Sequence, residues 1–216
     1  MIKSIKIDEK LEKYISDHSY DLHPVQKEIL SHNESLGDVK KMQISITQAY
    51  FFQLFIKMNN IKSILEVGTF TGYSTLSMAL SLNKNGKILT IDKDKQKNMI
   101  AKRFFRKAKI LNKIILDVSN GNDALIKLIK NKKKYDLILI DADKENYISY
   151  FDKSLKLLNK NGLLVVDNIL WKGDVININS KDKLTKKIKL FNLHVKKSKI
   201  NKYILPIGDG FYICWK

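Results

Sequence analysis

The chain has 216 residues, a formal net charge of +18 at pH 7 and a single cysteine, Cys214. One cysteine excludes an internal disulfide and any metal site built from several cysteines. No apolar run approaches the roughly 18 residues of a membrane span, and the charged N-terminal stretch MIKSIKIDEKLEKY lacks the apolar centre of a signal peptide. We therefore expect a cytoplasmic protein without a membrane segment, and the length predicts one domain over residues 1–216.

The positive charge is carried almost entirely by lysine, because Arg103 and Arg106 are the only arginines. A basic surface for nucleic acid is one interpretation of this charge. The other is compositional, since the lysines are scattered along a chain that is also rich in Asn and Ile. The scarcity of arginine, the usual residue for paired contacts to phosphate and guanine, favours the compositional interpretation.

Residues 1–60 have the spacing of amphipathic helices and predict a helical cover over the rest of the chain. The stretch DEKLEKYISDHS has apolar residues at helical spacing. Pro24 stands where a second helix would begin, because proline is tolerated in the first turn. A third helix is expected in SITQAYFFQLFIKM, with Ser45 or Thr47 as its N-cap.

From residue 61 onward, short apolar strands alternate with amphipathic helices and predict an α/β core over residues 61–216. The strand segments are KSILEVG, GKILTID, KIILD, YDLILID and GLLVVD. Strands that are apolar on both faces and separated by helices are typical of a parallel sheet covered on both sides. The last stretch, NKYILPIGDGFYICWK, reads as two strands joined by a turn at residues 208–210. The expected fold is a doubly wound, mostly parallel sheet with an antiparallel C-terminal edge hairpin.

Polar residues follow the first two strands, at the sheet edge where such folds bind ligands. Gly68 and Gly72 bracket a loop that opens into a helix, without the spacing of a dinucleotide fold or the lysine of a phosphate-binding loop. Asp92 ends the second strand, where an acid can accept both ribose hydroxyls of a nucleoside. Glu66 adds a carboxylate beside the loop. Each acid has an alternative interpretation, a helix cap for Glu66 and a plain turn for Asp92. Taken together with the glycine loop, the two carboxylates favour a bound nucleoside that carries positive charge.

A second polar group follows the strands YDLILID and GLLVVD. Asp141 and Asp167 end these strands, Asn168 comes next, and Lys144 lies three residues after Asp141. If the strands are neighbours, three oxygen ligands converge, and an all-oxygen set suits Mg²⁺, Mn²⁺ or Ca²⁺. For either acid alone, a helix N-cap or a turn is the favoured interpretation, and Lys144 alone could equally be a solvated lysine.

Five motifs in order carry a resemblance to a known family, over roughly residues 40–216. They are EVGTFTGYS, TID, LIDADKENY, VVDNILWKGDV and LPIGDGFYIC. The chain resembles the cation-dependent S-adenosylmethionine O-methyltransferases, the group that contains caffeoyl-CoA and catechol O-methyltransferases; the first forty residues match only loosely. The resemblance implies a class I methyltransferase fold of the Rossmann-like type and a homodimer.

By this resemblance, one set of residues would bind S-adenosylmethionine, with Ile44 contributing through its backbone and Gly121 lying near the adenine. The set is Ile44, Glu66, Gly68, Thr69, Ser74, Asp92, Gly121 and Asp143. The resemblance also favours the metal interpretation of Asp141, Asp167 and Asn168, with Mg²⁺ as the first expectation and Mn²⁺ or Ca²⁺ as alternatives.

The resemblance makes Lys144 the general base, with Asp141 beside it as the second catalytic residue. The metal would hold two neighbouring oxygens of the substrate, and the deprotonated oxygen would attack the sulfonium methyl group. Trp171 would flank an aromatic acceptor or simply pack in the core. Lys172 departs from the plant caffeoyl-CoA enzymes, which have Asn at that position.

Three functions follow as hypotheses. The leading one is methylation of a hydroxyl on a catechol-like vicinal diol of low molecular weight. The second is methylation of a hydroxylated uridine in tRNA, which the basic charge would suit. The third, from another class, is a non-catalytic RNA-binding module, against which the intact set of Asp141, Lys144, Asp167 and Asn168 argues.

Overall fold

The computed structural model of the chain describes residues 7–19 and 21–216. Over these residues the chain forms one mixed sheet of seven strands in the order β3-β2-β1-β4-β5-β7-β6, with helices on both faces. The strands are β1 (Ser63–Val67), β2 (Lys87–Ile91), β3 (Ile114–Asp117), β4 (Tyr135–Ile140), β5 (Leu158–Val166), β6 (Asn201–Leu205) and β7 (Phe211–Trp215). The first five are parallel, and β7 runs antiparallel to both β5 and β6. The expected fold class is therefore confirmed.

Eight α-helices accompany the strands over the same described ranges. They are α1 (Glu9–Asp17), α2 (Pro24–Glu34), α3 (Ile46–Met58), α4 (Tyr73–Ser81), α5 (Lys95–Lys107), α6 (Gly121–Lys130), α7 (Tyr147–Leu157) and α8 (Lys183–Lys197). Residues 1–6 of the expected helical cover, which begin the stretch MIKSIKIDEKLEKY, lie outside the described residues. The single domain over residues 1–216, with its cover and core, stays a prediction.

The central strand β4 shows why a continuous apolar run is needed here. Leu137 and Leu139 are buried on the face covered by α2 to α5, and Ile138 and Ile140 are buried on the face covered by α6 to α8. Successive side chains of a strand point to opposite faces, so a strand covered on both sides must be apolar at every position.

The N-terminal helices begin where the sequence indicates. Pro24 is the first residue of α2. Ser45 is the N-cap of α3, and its hydroxyl accepts a hydrogen bond from the backbone N–H of Gln48, so of the two candidates Ser45 is the cap. The side chain of Gln48 completes a capping box by accepting the backbone N–H of Ser45 at 2.8 Å.

Helix α8 was not among the elements predicted from the sequence. Its N-cap is Asp182, which accepts the backbone N–H of Thr185 at 2.6 Å. Phe191 is fully buried and packs edge-to-face on Tyr147 and Phe151, with ring centroids 5.3 and 5.8 Å apart. Helix α8 thus packs beside α7 on the same face of the sheet. No helix in the described part of the chain has the length and apolar character to span a membrane.

Candidate active site

The register of the parallel strands brings four predicted residues into one row at the carboxyl edge of the sheet. Val67 pairs with both Ile91 and Ile140, and Ile140 pairs with Val166. The residues that follow these strand ends are therefore neighbours, in the spatial order Asp92, Gly68, Asp141, Asp167. Backbone hydrogen bonds of 2.9 to 3.0 Å from Gly68, Asp141 and Asp167 to the adjacent strands continue the ladder through this row.

A cavity of about 450 Å³ opens along this row. Seven residues predicted for the cofactor line it: Ile44, Gly68, Thr69, Ser74, Asp92, Gly121 and Asp143. Three residues predicted for catalysis or the metal also line it: Asp141, Lys144 and Asn168. Glu66 and Asp167 are the two predicted site residues that are not in the cavity wall, since both are buried behind it.

Gly68 is required by close packing as well as by its backbone conformation. Its φ is +107°, and a Cβ at this position would lie 1.8 Å from the carbonyl oxygen of Asp141. No side chain fits there, so the loop after β1 lies directly against the end of β4.

Asp92 holds this loop in place through its carboxylate. Oδ2 accepts the backbone N–H groups of Thr69 and Phe70 at 3.1 and 2.9 Å, and Oδ1 accepts that of Asp94 at 2.9 Å. A carboxylate has about four lone-pair positions, so Asp92 keeps acceptor capacity toward the cavity. This capacity is what binding of ribose hydroxyls requires.

Glu66 supports the same loop from the buried side, behind the cavity wall. It is fully buried, and its carboxylate accepts the hydroxyls of Ser74 at 2.5 Å, Thr90 at 2.6 Å and Thr75. Burial raises the pKa of Glu66 to about 7, and the three hydroxyl donors oppose this rise. Its direct contacts in this structure tie β1, β2 and α4 together.

Gly121 and Asp143 are joined through one tyrosine. A Cβ on Gly121 would lie 3.0 Å from the ring of Tyr150, and the Tyr150 hydroxyl donates to Asp143 Oδ1 at 2.8 Å. Burial, and then the hydrogen bond to Asp143, raise the pKa of Tyr150 well above its ordinary value. Tyr150 therefore lines the cavity in contact with both Gly121 and Asp143.

Lys144 is the centre of the polar contacts at the other end. Its Nζ donates to Asp141 Oδ1 at 3.1 Å, to Asn168 Oδ1 at 2.5 Å and to the Tyr147 hydroxyl at 2.6 Å. The Tyr147 hydroxyl in turn donates to the backbone oxygen of Asp167 at 3.1 Å. Burial, followed by the charge of Asp141, raises the pKa of Tyr147 well above its ordinary value, so Tyr147 stays a neutral partner. Sequence reasoning missed Tyr147, although it ends the quoted motif LIDADKENY.

Asp167 is buried, with 1% of the residue exposed. Oδ1 accepts the side-chain amide of Gln48 at 2.8 Å and the backbone N–H of Asn168 at 2.6 Å. Burial, and then the nearby charge of Asp141, raise the pKa of Asp167 well above its ordinary value, while Lys144 and the hydrogen bonds oppose the rise. Gln48 is the second residue that sequence reasoning missed; its signal was the capping-box pattern Ser-x-x-Gln.

The residues present fit a divalent cation. One ammonium group already contacts oxygens of both Asp141 and Asn168, so these oxygens converge on one positive centre. Asp167 has no ion pair with any residue in the described ranges, which leaves a buried acid beside Asp141. Residues 7–19 and 21–216 contain no group of three His, Cys, Asp or Glu side chains able to hold a metal, so the set depends on the amide of Asn168. Two carboxylates and an amide are ligands of the kind Mg²⁺ and Ca²⁺ prefer.

The loop after β5 forms the rest of this end of the cavity. Asn168, Trp171 and Lys172 have φ values of +58°, +47° and +53°, followed by Gly173 at +84°. Three non-glycine residues in this sparsely populated region indicate a loop held by its surroundings. Asp209, from the β6–β7 turn, accepts the Lys172 backbone N–H at 2.5 Å and lines the cavity. Trp171 lines the cavity and also packs on the core, while its contact with an aromatic acceptor stays a prediction.

Comparison with known proteins agrees with this geometry. The model of the O-methyltransferase family matches residues 16–216. "Probable caffeoyl-CoA O-methyltransferase 3" of Dictyostelium discoideum is 33% identical over 98% of this chain and 92% of its own. Caffeoyl-CoA O-methyltransferase 5 of Nicotiana tabacum is 31% identical over 98% of this chain and 93% of its own. The crystal structure of an O-methyltransferase from Bacillus cereus in complex with SAH (S-adenosylhomocysteine) superimposes with a TM-score of 0.85 and 27% identity, covering 96% and 97% of the two chains.

The sheet order and the cavity at its carboxyl edge define a class I methyltransferase. The chain belongs to the O-methyltransferase family and is an S-adenosylmethionine-dependent O-methyltransferase of the caffeoyl-CoA type. The resemblance inferred from the five motifs is confirmed, and so is its methyl donor. Because the chain is an enzyme, the third hypothesis, a non-catalytic RNA-binding module, is wrong.

Proposed function

We propose that this enzyme methylates one hydroxyl of a catechol-like vicinal diol and that it depends on a divalent cation bound by Asp141, Asp167 and Asn168. The observation that carries the proposal is the contact of one Lys144 ammonium with both Asp141 and Asn168 in the wall of the cavity. The same wall continues into the cofactor end through Gly68 and Asp92. A methyl donor and an acceptor hydroxyl can therefore meet in one cavity.

When bound, S-adenosylmethionine supplies the methyl group, and the cation supplies charge that lowers the pKa of an acceptor hydroxyl. In its neutral amine form Lys144 takes up the hydroxyl proton at Nζ and becomes the ammonium group that donates to Asp141 and Tyr147, and these hydrogen bonds hold its side chain in reach. Asp92 binds the ribose, while Ile44, Thr69, Ser74, Gly121 and Asp143 bound the space for the rest of the cofactor. Much of the rate enhancement then comes from positioning.

The acceptor is proposed to be an aromatic diol because of the side chains at the far end of the cavity and the names of the relatives. Trp171 offers a flat apolar wall there, and two neighbouring hydroxyls match a hard cation held by oxygen ligands. The relatives from D. discoideum and N. tabacum are named for caffeoyl-CoA, whose caffeoyl group is such a diol. Mg²⁺ is proposed as the cation, with Mn²⁺ and Ca²⁺ as the alternatives, and a cytoplasmic homodimer belongs to the same proposal.

The net charge of +18 keeps tRNA hydroxyuridine as the second candidate acceptor. Lys41, Lys93 and Lys172 line the cavity, so cations do occur near the mouth where an RNA backbone would pass. Against this candidate, many other lysines, including those of α6 and α8, lie on helices and do not line the cavity. We therefore place the diol first.

Both acceptors should be assayed side by side with S-adenosylmethionine carrying a labelled methyl group, Mg²⁺, and either a caffeoyl-type diol or tRNA bearing hydroxyuridine. We expect label in the diol and none in the tRNA. A monohydroxylated analogue of the same ring is the matched control, since it lacks the second oxygen. Label in tRNA, with none in any diol, would reverse the order of the two candidates.

A further inference from the structure

Gln48 links three elements of the fold to one predicted metal ligand. It lies in the first turn of α3, 119 residues before Asp167 in the chain, and is 2% exposed. Its side-chain nitrogen Nε2 donates to Asp167 Oδ1 at 2.8 Å and lies 3.4 Å from the backbone oxygen of Ile207 in the β6–β7 turn. No described residue other than Gln48 gives the Asp167 carboxylate a side-chain hydrogen bond.

The capping box sets which way the amide of Gln48 points. Its oxygen Oε1 accepts the backbone N–H of Ser45 at 2.8 Å, so the NH₂ group must face Asp167. The two hydrogens of that NH₂ group match the two acceptors present, Asp167 and the Ile207 carbonyl. A glutamate here could accept from Ser45 but could not donate to a carboxylate, so the position calls for an amide.

The β6–β7 turn closes on the amide from the opposite side. Gly208 has φ +56°, and a Cβ there would lie 2.6 Å from Cδ of Gln48. The amide group therefore sits between the start of α3, the end of β5 and the hairpin turn. A buried side chain packed on all sides in this way has little freedom to move.

We propose that Gln48 is the positioning residue of the cation site: it holds Asp167 through Oδ1 and leaves Oδ2 as the oxygen for the metal. The inference rests on the proposed cation dependence. Oδ2 of Asp167 has no hydrogen-bond partner among residues 7–19 and 21–216, whereas Oδ1 has two. Hydrogen-bond partners that orient a ligating carboxylate typically govern metal affinity by about 10- to 100-fold.

The test measures Mn²⁺ binding to the purified protein by isothermal titration calorimetry, together with S-adenosylhomocysteine binding. In Gln48→Met the donor to Asp167 is lost at nearly constant volume, and we expect Mn²⁺ affinity to fall by about 10- to 100-fold. Affinity for S-adenosylhomocysteine should stay within about twofold of wild type, because Gln48 does not line the cavity.

Gln26→Met is the matched control, because Gln26 is the equivalent residue of another helix. It is 1% exposed, its Oε1 accepts the backbone N–H of His23 at 3.0 Å, and its Nε2 donates to Ser77 at 2.8 Å, away from the cation site. Both variants lose a capping box and a buried hydrogen bond donated by a side-chain amide. A merely structural role for Gln48 would therefore change the Mn²⁺ affinity equally in the two variants. An unchanged Mn²⁺ affinity in Gln48→Met, or an equal loss in Gln26→Met, overturns the inference.

Gly208→Ala gives a second route if Gln48→Met does not fold. The new methyl group must displace the Gln48 amide, so Mn²⁺ affinity should again fall by about 10-fold or more. Gly37→Ala is its control, because Gly37 has a similar φ of +62° but nothing within 4 Å of its Cβ position. Equal Mn²⁺ affinity in these two variants overturns the inference. A wild-type protein that binds no divalent cation overturns the proposed cation dependence itself, which separates the two failures.

Discussion

Lys144 Nζ lies 2.5 Å from Oδ1 of Asn168, so the proposed base and one proposed metal ligand are in direct hydrogen-bond contact. A third group, the Tyr147 hydroxyl, holds the same nitrogen from the buried side at 2.6 Å. The lysine that is to accept a proton thus has its position set by the residues that are to bind the cation.

The first prediction concerns this lysine. Lys144→Ala should lower turnover by about 10²- to 10⁴-fold, the usual contribution of a general base. Calorimetry should show S-adenosylhomocysteine affinity close to wild type. Lys93→Ala is the control, because Lys93 also lines the cavity but forms no hydrogen bond with Asp141 or Asn168. Turnover at the wild-type level over a range of pH would show that Lys144 is dispensable.

The second prediction concerns removal of the cation. Treatment with excess chelator should abolish methyl transfer, and addition of Mg²⁺ or Mn²⁺ should restore it, because Asp141, Asp167 and Asn168 form an all-oxygen set. Initial rates measured before and after dialysis against the chelator check this. Full turnover in excess chelator would contradict the metal assignment.

The third prediction concerns the ribose. Asp92→Ala should weaken S-adenosylmethionine binding by about 1–3 kcal/mol, the cost of leaving polar partners unmade. Part of this loss will come from the loop, since Asp92 also accepts the backbone N–H groups of Thr69 and Phe70.

The control for Asp92 is Asp94→Ala, which removes a neighbouring acid that caps α5. Calorimetric titration of both variants with S-adenosylmethionine separates the site effect from a change of local charge. If Asp92→Ala binds the cofactor as tightly as Asp94→Ala, the ribose assignment is wrong.

The fourth prediction concerns pH and the buried carboxyl of Glu66. Its pKa is raised from 4.5 to about 7, chiefly by burial. An acid whose pKa is raised on folding stabilises the folded state fully below its unfolded pKa, and this stability is lost as pH rises through the folded pKa. Relative to Glu66→Gln, the wild type should therefore lose on the order of 2–3 kcal/mol of unfolding free energy as pH rises from about 4.5 to about 7.

Urea unfolding without cofactor, at several pH values from 4 to 8, measures this difference for Glu66→Gln. Glu145→Gln, at an exposed position, is the control. Its unfolding free energy should change with pH in parallel with that of the wild type. Parallel curves for Glu66→Gln as well would mean that Glu66 titrates normally in the folded protein.

The alternation of apolar strands and helices was enough to predict the parallel sheet, because each buried strand must be apolar on both faces. It did not reveal α8, although Ile188, Phe191 and Val195 have helical spacing and are buried. Seven lysines between residues 181 and 197 dilute that apolar stripe. The helix is stabilised by the packing of Phe191 on Tyr147 and Phe151, and these tertiary contacts cannot be read from the local sequence.

Residues that follow the ends of strands could be predicted as members of the site, because the fold itself brings the carboxyl ends of parallel strands together. Asp92, Gly68 and Asp141 are of this kind, and the structure places them in one row. Gln48 was not predictable as a partner of Asp167, because the contact depends on how α3 lies across the end of β5. The local pattern Ser-x-x-Gln could have identified Gln48 only as part of a helix cap.

The contact between Gly68 and the carbonyl of Asp141 limits how this enzyme could be re-engineered. With 1.8 Å between that oxygen and the position of a Cβ, the cofactor loop cannot be rebuilt or shifted toward β4 without moving Asp141. A variant designed to transfer a group larger than methyl must therefore gain its space elsewhere. The side chains of Tyr150 and Trp171 line the cavity and take no part in this contact, so they are the positions to shorten.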